Sequence, residues 1–178
     1  KAAEHIAKIF EKYGLKPGGD NNTYFQYYNV SIPSDLGAKI RVDKTGKVYD
    51  AYVLWPNNVQ VSKIVEPGLK GRLIYVGEGS LSDLKGKNIN GSIVLMKFNS
   101  YMNWLNVVKF GAKAIIFIEP KTSNRIEAET KFLLTPIYVP RLYVNRSVGE
   151  ELIKISEETP IVTLVSLMEY RRITAKNV

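Results

Sequence analysis

The amino-acid sequence predicts an α/β domain with a mixed sheet, built as a twisted β-sheet or open β-barrel flanked by short helices and preceded by an amphipathic helix. Three observations predict this class. The hydrophobic period changes from helical to strand-like after residue 22. Several short strand-like runs then follow one another between turn residues. A strand, a short helix and a second strand occupy residues 92–118, the length of a compact parallel crossover unit.

The first element is a predicted helix from Ala2 to Tyr13. Its apolar side chains recur at helical spacing and form one stripe: Ala2, Ala3, Ile6, Ala7, Phe10 and Tyr13. Gly14 followed by Leu15 is typical of a helix end. Residues 17–22 are rich in Pro, Gly, Asn and Asp, so we predict a linker there.

Strands dominate the next third of the chain. The predicted strands are the aromatic-rich run Thr23–Ile32, the hairpin partners Ala38–Val42 and Lys47–Leu54, and the short runs Val59–Val65 and Arg72–Val76. A turn at residues 56–58 separates the hairpin from the later strands. Residues 76–80 resemble a phosphate-binding glycine loop, but the P-loop Lys is absent and no capped helix is evident, which favours a simple turn.

The second half begins with the crossover unit. Its predicted elements are the buried strand Ser92–Phe98, the helix Met102–Phe110 and the buried strand Ala114–Ile118. The polar run Lys121–Lys131 is predicted to be a mobile loop. Ser147 and Glu150 form a capping-box pattern that opens a helix, and Ile161–Leu167 is predicted as the last strand, with no closing element after it.

Composition excludes several classes of function. The 178 residues contain no Cys and a single His, His5, which excludes thiol catalysis and cysteine-ligated zinc or iron–sulfur sites. A Ser-His-Asp triad would have to use His5. The net charge of +8 leaves nucleic-acid binding open, but the basic residues are spread along the chain. No apolar run approaches the roughly 18 residues of a membrane helix.

The loop from Asn99 to Trp104 is the candidate contact site. It follows a buried strand and precedes a helix, where crossover units often expose their sites. The candidate residues for contact with a peptide or partner are Asn99, Ser100, Tyr101, Met102 and Trp104. Tyr and Trp are enriched at interfaces because they combine an apolar ring with a polar group. The alternative is that Trp104 is a core residue and Tyr101 is merely exposed.

Three segments together resemble the protease-associated domain. They are residues 81–95, which include Lys87-Asn88-Ile89-Asn90-Gly91-Ser92-Ile93-Val94-Leu95, residues 107–116 with Gly111-Ala112-Lys113-Ala114, and residues 137–152 with Pro140 and Gly149-Glu150-Glu151-Leu152. The flanks, residues 2–26 and 174–178, resemble zinc-dependent aminopeptidases of the aminopeptidase Y and glutamate carboxypeptidase-like family, in which this domain is an insert.

The resemblance implies a division into three parts. Residues 1–22 would be a helix and linker that pack on a catalytic domain, 23–168 the protease-associated domain, and 169–178 the start of the peptidase domain. The zinc ligands would lie beyond Val178, so this chain would hold no catalytic residue and no cofactor. Ile6, Phe10 and Tyr13 would contact the catalytic domain and be partly exposed in this chain.

The same resemblance implies the partners. They are the catalytic peptidase domain of the same polypeptide, the peptide substrate and, as a further expectation, a second copy of the chain, with no nucleic acid and no membrane segment. The family and the glycosylation sequons at Asn21, Asn29, Asn90 and Asn145 favour a secreted or extracytoplasmic location. The alternatives are a protease-associated domain of a subtilisin-like protease, a stand-alone interaction module, and a basic nucleic-acid-binding domain.

Overall fold

A computed structural model describes residues 1–54, 62–131 and 137–178. The helices are α1 (Ala2–Lys12), α2 (Leu81–Leu84), α3 (Trp104–Lys109), α4 (Arg125–Glu129) and α5 (Arg146–Ser156). The strands are β1 (Gln26–Val42), β2 (Val48–Val53), β3 (Ile64–Tyr75), β4 (Ile93–Lys97), β5 (Ala114–Ile118), β6 (Arg141–Val144) and β7 (Ile161–Asn177). Single 3-10 turns lie at Asp20–Asn22 and Tyr101–Asn103.

The strands form a closed barrel in the order β1-β2-β6-β5-β4-β3-β7. The β3–β4, β4–β5 and β5–β6 pairs are parallel, whereas β1–β2, β2–β6 and β3–β7 are antiparallel. The predicted mixed α/β class is therefore confirmed, with the sheet closed on itself. Ile93 pairs with Ala114 in a parallel register, which confirms the predicted crossover unit.

Strands β4 and β5 are apolar throughout because both of their faces are buried. Ile93 and Leu95 join the cluster inside the barrel, and Val94 and Met96 join a second cluster on the other face. Such double burial gives a continuous apolar run in place of alternation. The second cluster includes Trp104 of α3, so this helix covers the outer face of the central strands.

The chain divides into two compact units. Unit 1 comprises Lys1–Ser34 and Tyr170–Val178, and unit 2 comprises Asp35–Glu169. In unit 1 the Lys176 ammonium lies 2.7 Å from a Glu4 carboxylate oxygen and 4.3 Å from the centre of the Phe25 ring. The hydrogen bond from Lys176 lowers the pKa of Glu4 to about 2. The assignment of residues 1–22, 23–168 and 169–178 to separate parts of a peptidase stays a prediction.

Three strand predictions are wrong in extent. The described end of the predicted run Val59–Val65 and the predicted run Arg72–Val76 belong to one strand, β3 (Ile64–Tyr75). The runs predicted as separate strands before and after residue 33 form one strand, β1, which passes through Pro33 and through Gly37, whose φ of +101° favours glycine. Strand β7 continues to Asn177, although no closing element was expected there. Its last third is mostly polar and exposed, so its sequence carries no strand-like apolar alternation. The predicted turn at 56–58 and the start of the predicted strand at Val59 lie outside the described residues.

Two helix predictions also need correction. The run Lys121–Lys131, predicted as a loop, contains α4, whose N-cap Asn124 accepts a hydrogen bond from the Glu127 backbone N–H. Helix α5 starts two residues earlier than the predicted cap at Ser147 implies. Its N-cap is Asn145, whose Oδ1 accepts from Val148 N at 2.9 Å and from the Ser147 hydroxyl at 2.9 Å. Asn is as effective a cap as Ser, so the Ser147 pattern was misleading.

Candidate functional site

The loop after β4 separates the five predicted contact residues into two groups. Tyr101, with 57% of its surface exposed, and Met102 point outward, and we call these two residues the tip. Ser100 and Trp104 are buried, and Asn99 is half-buried. Tyr101 has a φ of +44°, a region that a non-glycine residue seldom adopts. The tip therefore depends on contacts that hold this backbone in place.

A buried carboxylate holds the backbone of the loop. Glu127 Oε2 accepts hydrogen bonds from Ser100 N at 3.1 Å and Tyr101 N at 3.0 Å. Hydrogen bonds to an ionised acceptor are about twice as strong as neutral ones. The carboxylate is positioned by α4, which begins at the N-cap Asn124. The unusual φ of Tyr101 is thus fixed by a side chain 26 residues further along the chain.

A buried ammonium completes this arrangement. Lys131 is 1% exposed, and its Nζ donates to Tyr101 O at 2.8 Å and to Glu127 Oε2 at 3.3 Å. Its Nζ also lies 5.3 Å from the Phe98 ring centre and 5.7 Å from that of Phe117. Burial lowers the pKa of Lys131, while the hydrogen bond to Glu127 opposes that effect. Glu127 and Lys131 therefore bind the backbone N–H and C=O groups of Tyr101 from one side.

Arg141 links this pair to Trp104. Its Nη1 donates to Lys131 O at 2.6 Å, and its guanidinium lies 5.0 Å from the centre of the Trp104 ring. Trp104 Nε1 in turn donates to Thr130 O at 2.9 Å. Burial lowers the pKa of Arg141 to about 10. We call Glu127, Lys131 and Arg141 the clamp, because together they tie the segment after α4 to the loop and to α3.

Asn99 fixes the other end of the loop. Its Nδ2 donates to Thr122 O at 2.9 Å, and its Oδ1 accepts from the Ser123 hydroxyl at 2.9 Å. The loop is thus bonded to the segment before α4 as well as to the clamp. The tip therefore presents an aromatic ring and a thioether to solvent, and hydrogen bonds hold the backbone of the loop that carries them.

The clamp is the part of the site that the sequence analysis missed. Glu127 and Lys131 lie in the run predicted as a mobile loop, and Arg141 is the first residue of β6. The available signals were local: Asn124 and Glu127 have the spacing of a helix cap, and Glu127 and Lys131 have the i, i+4 spacing of a helical ion pair. Neither signal indicates burial, which depends on distant partners.

The other sequence candidates have structural explanations or remain as predicted. The glycine-rich segment forms a turn after β3, as predicted, in which Gly79 N donates to Val76 O at 2.9 Å. Ser80 and Asp83 then form a capping box that opens α2, a capped helix that was not expected. Ile6 and Tyr13 are exposed, whereas Phe10 is half-buried with its ring centre 6.1 Å from that of Tyr24. Their role as an interface stays a prediction.

The described residues contain neither a metal-binding cluster nor a membrane-spanning helix. No group of three or more His, Cys, Asp or Glu side chains in the described ranges is placed to hold a metal ion. Within the same ranges, no helix has the length and apolar character needed to cross a lipid bilayer.

Comparison with known proteins relates the fold to peptidases. No family model and no curated protein matches the sequence. The aminopeptidase from Aneurinibacillus sp. strain AM-1 aligns with 98% of this chain at 17% identity and a TM-score of 0.54. The peptidase M28 precursor from Shewanella amazonensis SB2B aligns with 99% at 12% identity and a TM-score of 0.55. This chain spans 40% and 43% of those two chains.

A subtilisin-like protease from Pseudoalteromonas sp. AS-11 aligns with 79% of this chain and 35% of its own, at 18% identity and a TM-score of 0.45. The two structures with the higher scores show that this fold occurs as part of larger peptidase chains. The barrel is consistent with the protease-associated domain that the sequence resembles.

Proposed function

We propose that this chain is the protease-associated region of a zinc aminopeptidase, which covers the active-site cleft and controls access of peptide substrates. The observation that carries the proposal is the alignment of nearly the whole chain, α1 included, with less than half of two peptidase chains. In this proposal the remaining part of the polypeptide supplies catalysis and the region described here supplies contacts.

The tip is the proposed contact with peptide substrate or a partner. Tyr101 offers an aromatic ring with a hydroxyl, and Met102 offers a flexible, polarisable side chain suited to varied apolar groups. The clamp holds the backbone beneath them, so little conformational entropy is lost when a peptide binds. Trp104 acts through packing in this proposal, because its side chain is buried.

The proposal assigns other roles by the same reasoning. The exposed apolar residues of α1, Ile6 and Tyr13, with Phe10 beside them, contact the catalytic domain of the same polypeptide. Zinc belongs to that domain in this proposal, as the family resemblance implies. We also propose a secreted or extracytoplasmic location, which cell fractionation tests.

The experiment compares two tyrosines of equal exposure in the full polypeptide that contains this chain. Tyr101 and Tyr52 are both 57% exposed, and only Tyr101 belongs to the tip. We expect Tyr101→Ser to lower kcat/KM for peptides of six or more residues by roughly tenfold, which corresponds to about 1.4 kcal/mol. Tyr52→Ser is the matched control and should leave it unchanged.

Small substrates separate binding from catalysis. Both variants should hydrolyse an aminoacyl p-nitroanilide at the wild-type rate, because that substrate is too short to reach the tip. A chelator should abolish this activity and zinc should restore it. Equal loss in both tyrosine variants would contradict the role of the tip, and chelator-sensitive turnover by residues 1–178 alone would contradict the non-catalytic assignment.

A further inference from the structure

A groove with apolar walls lies between α2 and the end of α3. Its cavity volume is about 490 Å³. Leu81 and Phe110 form the two walls and are 67% and 53% exposed, whereas Leu84 and Ile89 are buried in its floor. Large apolar side chains that are grouped at a concave surface are typical of a binding site, unlike apolar residues scattered singly.

Hydrogen bonds connect the backbone segments that carry the groove. Asn106 of α3 donates from Nδ2 to Gly79 O at 3.1 Å, which ties α3 to the segment that leads into α2. Gly91 N donates to Gly111 O at 2.9 Å, which ties the floor segment to the end of α3. A preformed groove reduces the ordering cost of association, so even a short segment has a suitable receptor surface.

The charged groups at the groove are cations. Lys85 and Lys87 line it, but Lys87 Nζ already donates to Tyr75 O at 2.7 Å, so Lys85 is the lining cation that a ligand can engage. Arg72 donates from Nη2 to the carbonyl of Asn88, another lining residue, at 3.3 Å. No carboxylate is among the lining residues in the described ranges. The nearby Asp83 is bonded to Ser80: its Oδ2 accepts hydrogen bonds from the Ser80 backbone N–H at 3.0 Å and from the Ser80 hydroxyl at 2.8 Å. A complementary ligand therefore carries carboxylates.

The same charges argue against a second copy of the chain as the occupant. Each chain has a net charge of +8, and a symmetric contact would place lysines of both copies against one another. An acidic segment of another protein gains from these lysines and from burial of Leu81 and Phe110.

We propose that this groove binds an acidic segment of a partner protein, which inserts an apolar side chain between Leu81 and Phe110 and places a carboxylate against Lys85. Phosphate groups are excluded as the main ligand, because the walls are apolar. The inference is independent of the proposed peptidase role, since the groove uses neither the tip nor the clamp.

The test begins with a phage library of random heptapeptides, selected on the full chain and depleted on its Leu81→Ser/Phe110→Ser double variant. We expect the enriched peptides to share an aliphatic or aromatic residue flanked by Asp or Glu. The best peptide, labelled with fluorescein, is then titrated by fluorescence anisotropy. We expect Phe110→Ser to raise Kd at least tenfold and Lys85→Glu about fivefold to tenfold.

Two controls keep the outcome decisive. Val65→Ser removes an apolar side chain of similar exposure on β3 and should leave Kd unchanged, and circular dichroism checks that every variant is folded. Failure to enrich any peptide, or enrichment without acidic residues, overturns the proposal. A dimer in sedimentation velocity that Leu81→Ser and Phe110→Ser dissociate also overturns it, because the occupant would then be a second copy.

Discussion

Within unit 2, the clamp buries charged side chains that are usually exposed, and the groove exposes apolar side chains that are usually buried. The clamp places a carboxylate, an ammonium and a guanidinium in the interior, whereas the groove leaves Leu81 and Phe110 largely in solvent. Burying charge has a large desolvation cost unless hydrogen bonds compensate for it. Exposing apolar surface has a smaller cost, which is recovered when a partner covers it.

The clamp and the groove therefore differ in how much they contribute to the stability of the folded chain. In the clamp, hydrogen bonds compensate for the buried carboxylate and ammonium, whereas the guanidinium of Arg141 donates from Nη1 and leaves its Nε buried without a partner. The Glu127–Lys131 pair is therefore the part of the clamp that supports the folded structure. Leu81 and Phe110 in the groove are largely exposed and bury little apolar surface within the chain. Substituting them should therefore hardly change the free energy of unfolding. Substitutions in the two regions should therefore separate loss of stability from loss of binding.

The largest effect is expected for Glu127→Ala. The substitution leaves the Lys131 ammonium buried without a carboxylate and removes the acceptor of two loop N–H groups. Removing one partner of a buried ion pair typically costs about 3–5 kcal/mol, and urea unfolding measures it. Glu129→Ala on the same helix, an exposed position, is the control and should cost less than about 0.5 kcal/mol.

The contrast with the groove is checked in the same experiment. Leu81→Ser and Phe110→Ser should change the free energy of unfolding by no more than about 0.5 kcal/mol, as is usual at exposed positions. If Glu127→Ala proved as mild as these groove variants, the clamp would have no special role in stability. A loss of several kcal/mol in Phe110→Ser would instead make the groove a structural element.

An intermediate effect is expected for Trp104→Phe. It removes the Nε1–H donor to Thr130 O and leaves that carbonyl without this partner, at a cost of about 1–3 kcal/mol. Combination with Glu127→Ala should give less than the sum of the two losses, because both residues hold the same segment. Strict additivity in urea unfolding would show that the tryptophan and the clamp act separately.

The smallest effect is expected in the pH dependence of the free energy of unfolding. Burial lowers the pKa of Lys131 from its ordinary 10.5, so the unfolded chain binds more protons than the folded chain as pH rises toward that value. The free energy of unfolding of the wild type should therefore increase with pH relative to Lys131→Met in the alkaline range below 10.5. Urea unfolding at several alkaline pH values measures the difference, and a constant difference would contradict burial of the charge.

Elements governed by local apolar spacing were predictable from the sequence. Strands β4 and β5 are continuous apolar runs, and α1 has a regular stripe, so each was identified close to its observed bounds. The fold class followed from their order. The exposure of Tyr101 and Met102 in the loop after β4 was also expected, whereas the role of this loop in contact with a peptide or partner stays a prediction.

The rest depended on partners that are distant in sequence. Glu127 and Lys131 look like solvated charges in a polar run until Ser100 and Tyr101 are placed beside them. The burial of Arg141 likewise depends on Trp104, which precedes it by 37 residues in the sequence. The outer part of β7 is mostly exposed, so it lacks the apolar alternation by which strands are recognised.

The division of unit 1 into two sequence segments has a consequence for the order of events during protein synthesis. Residues 1–34 leave the ribosome first, but Glu4 and Phe25 must wait for Lys176, which is made only after the whole of unit 2. Unit 2 is a single uninterrupted segment and is complete as soon as residue 169 is available. We therefore expect unit 2 to fold first on the nascent chain, and the apolar face of α1 to stay uncovered in the meantime, when a chaperone would find it.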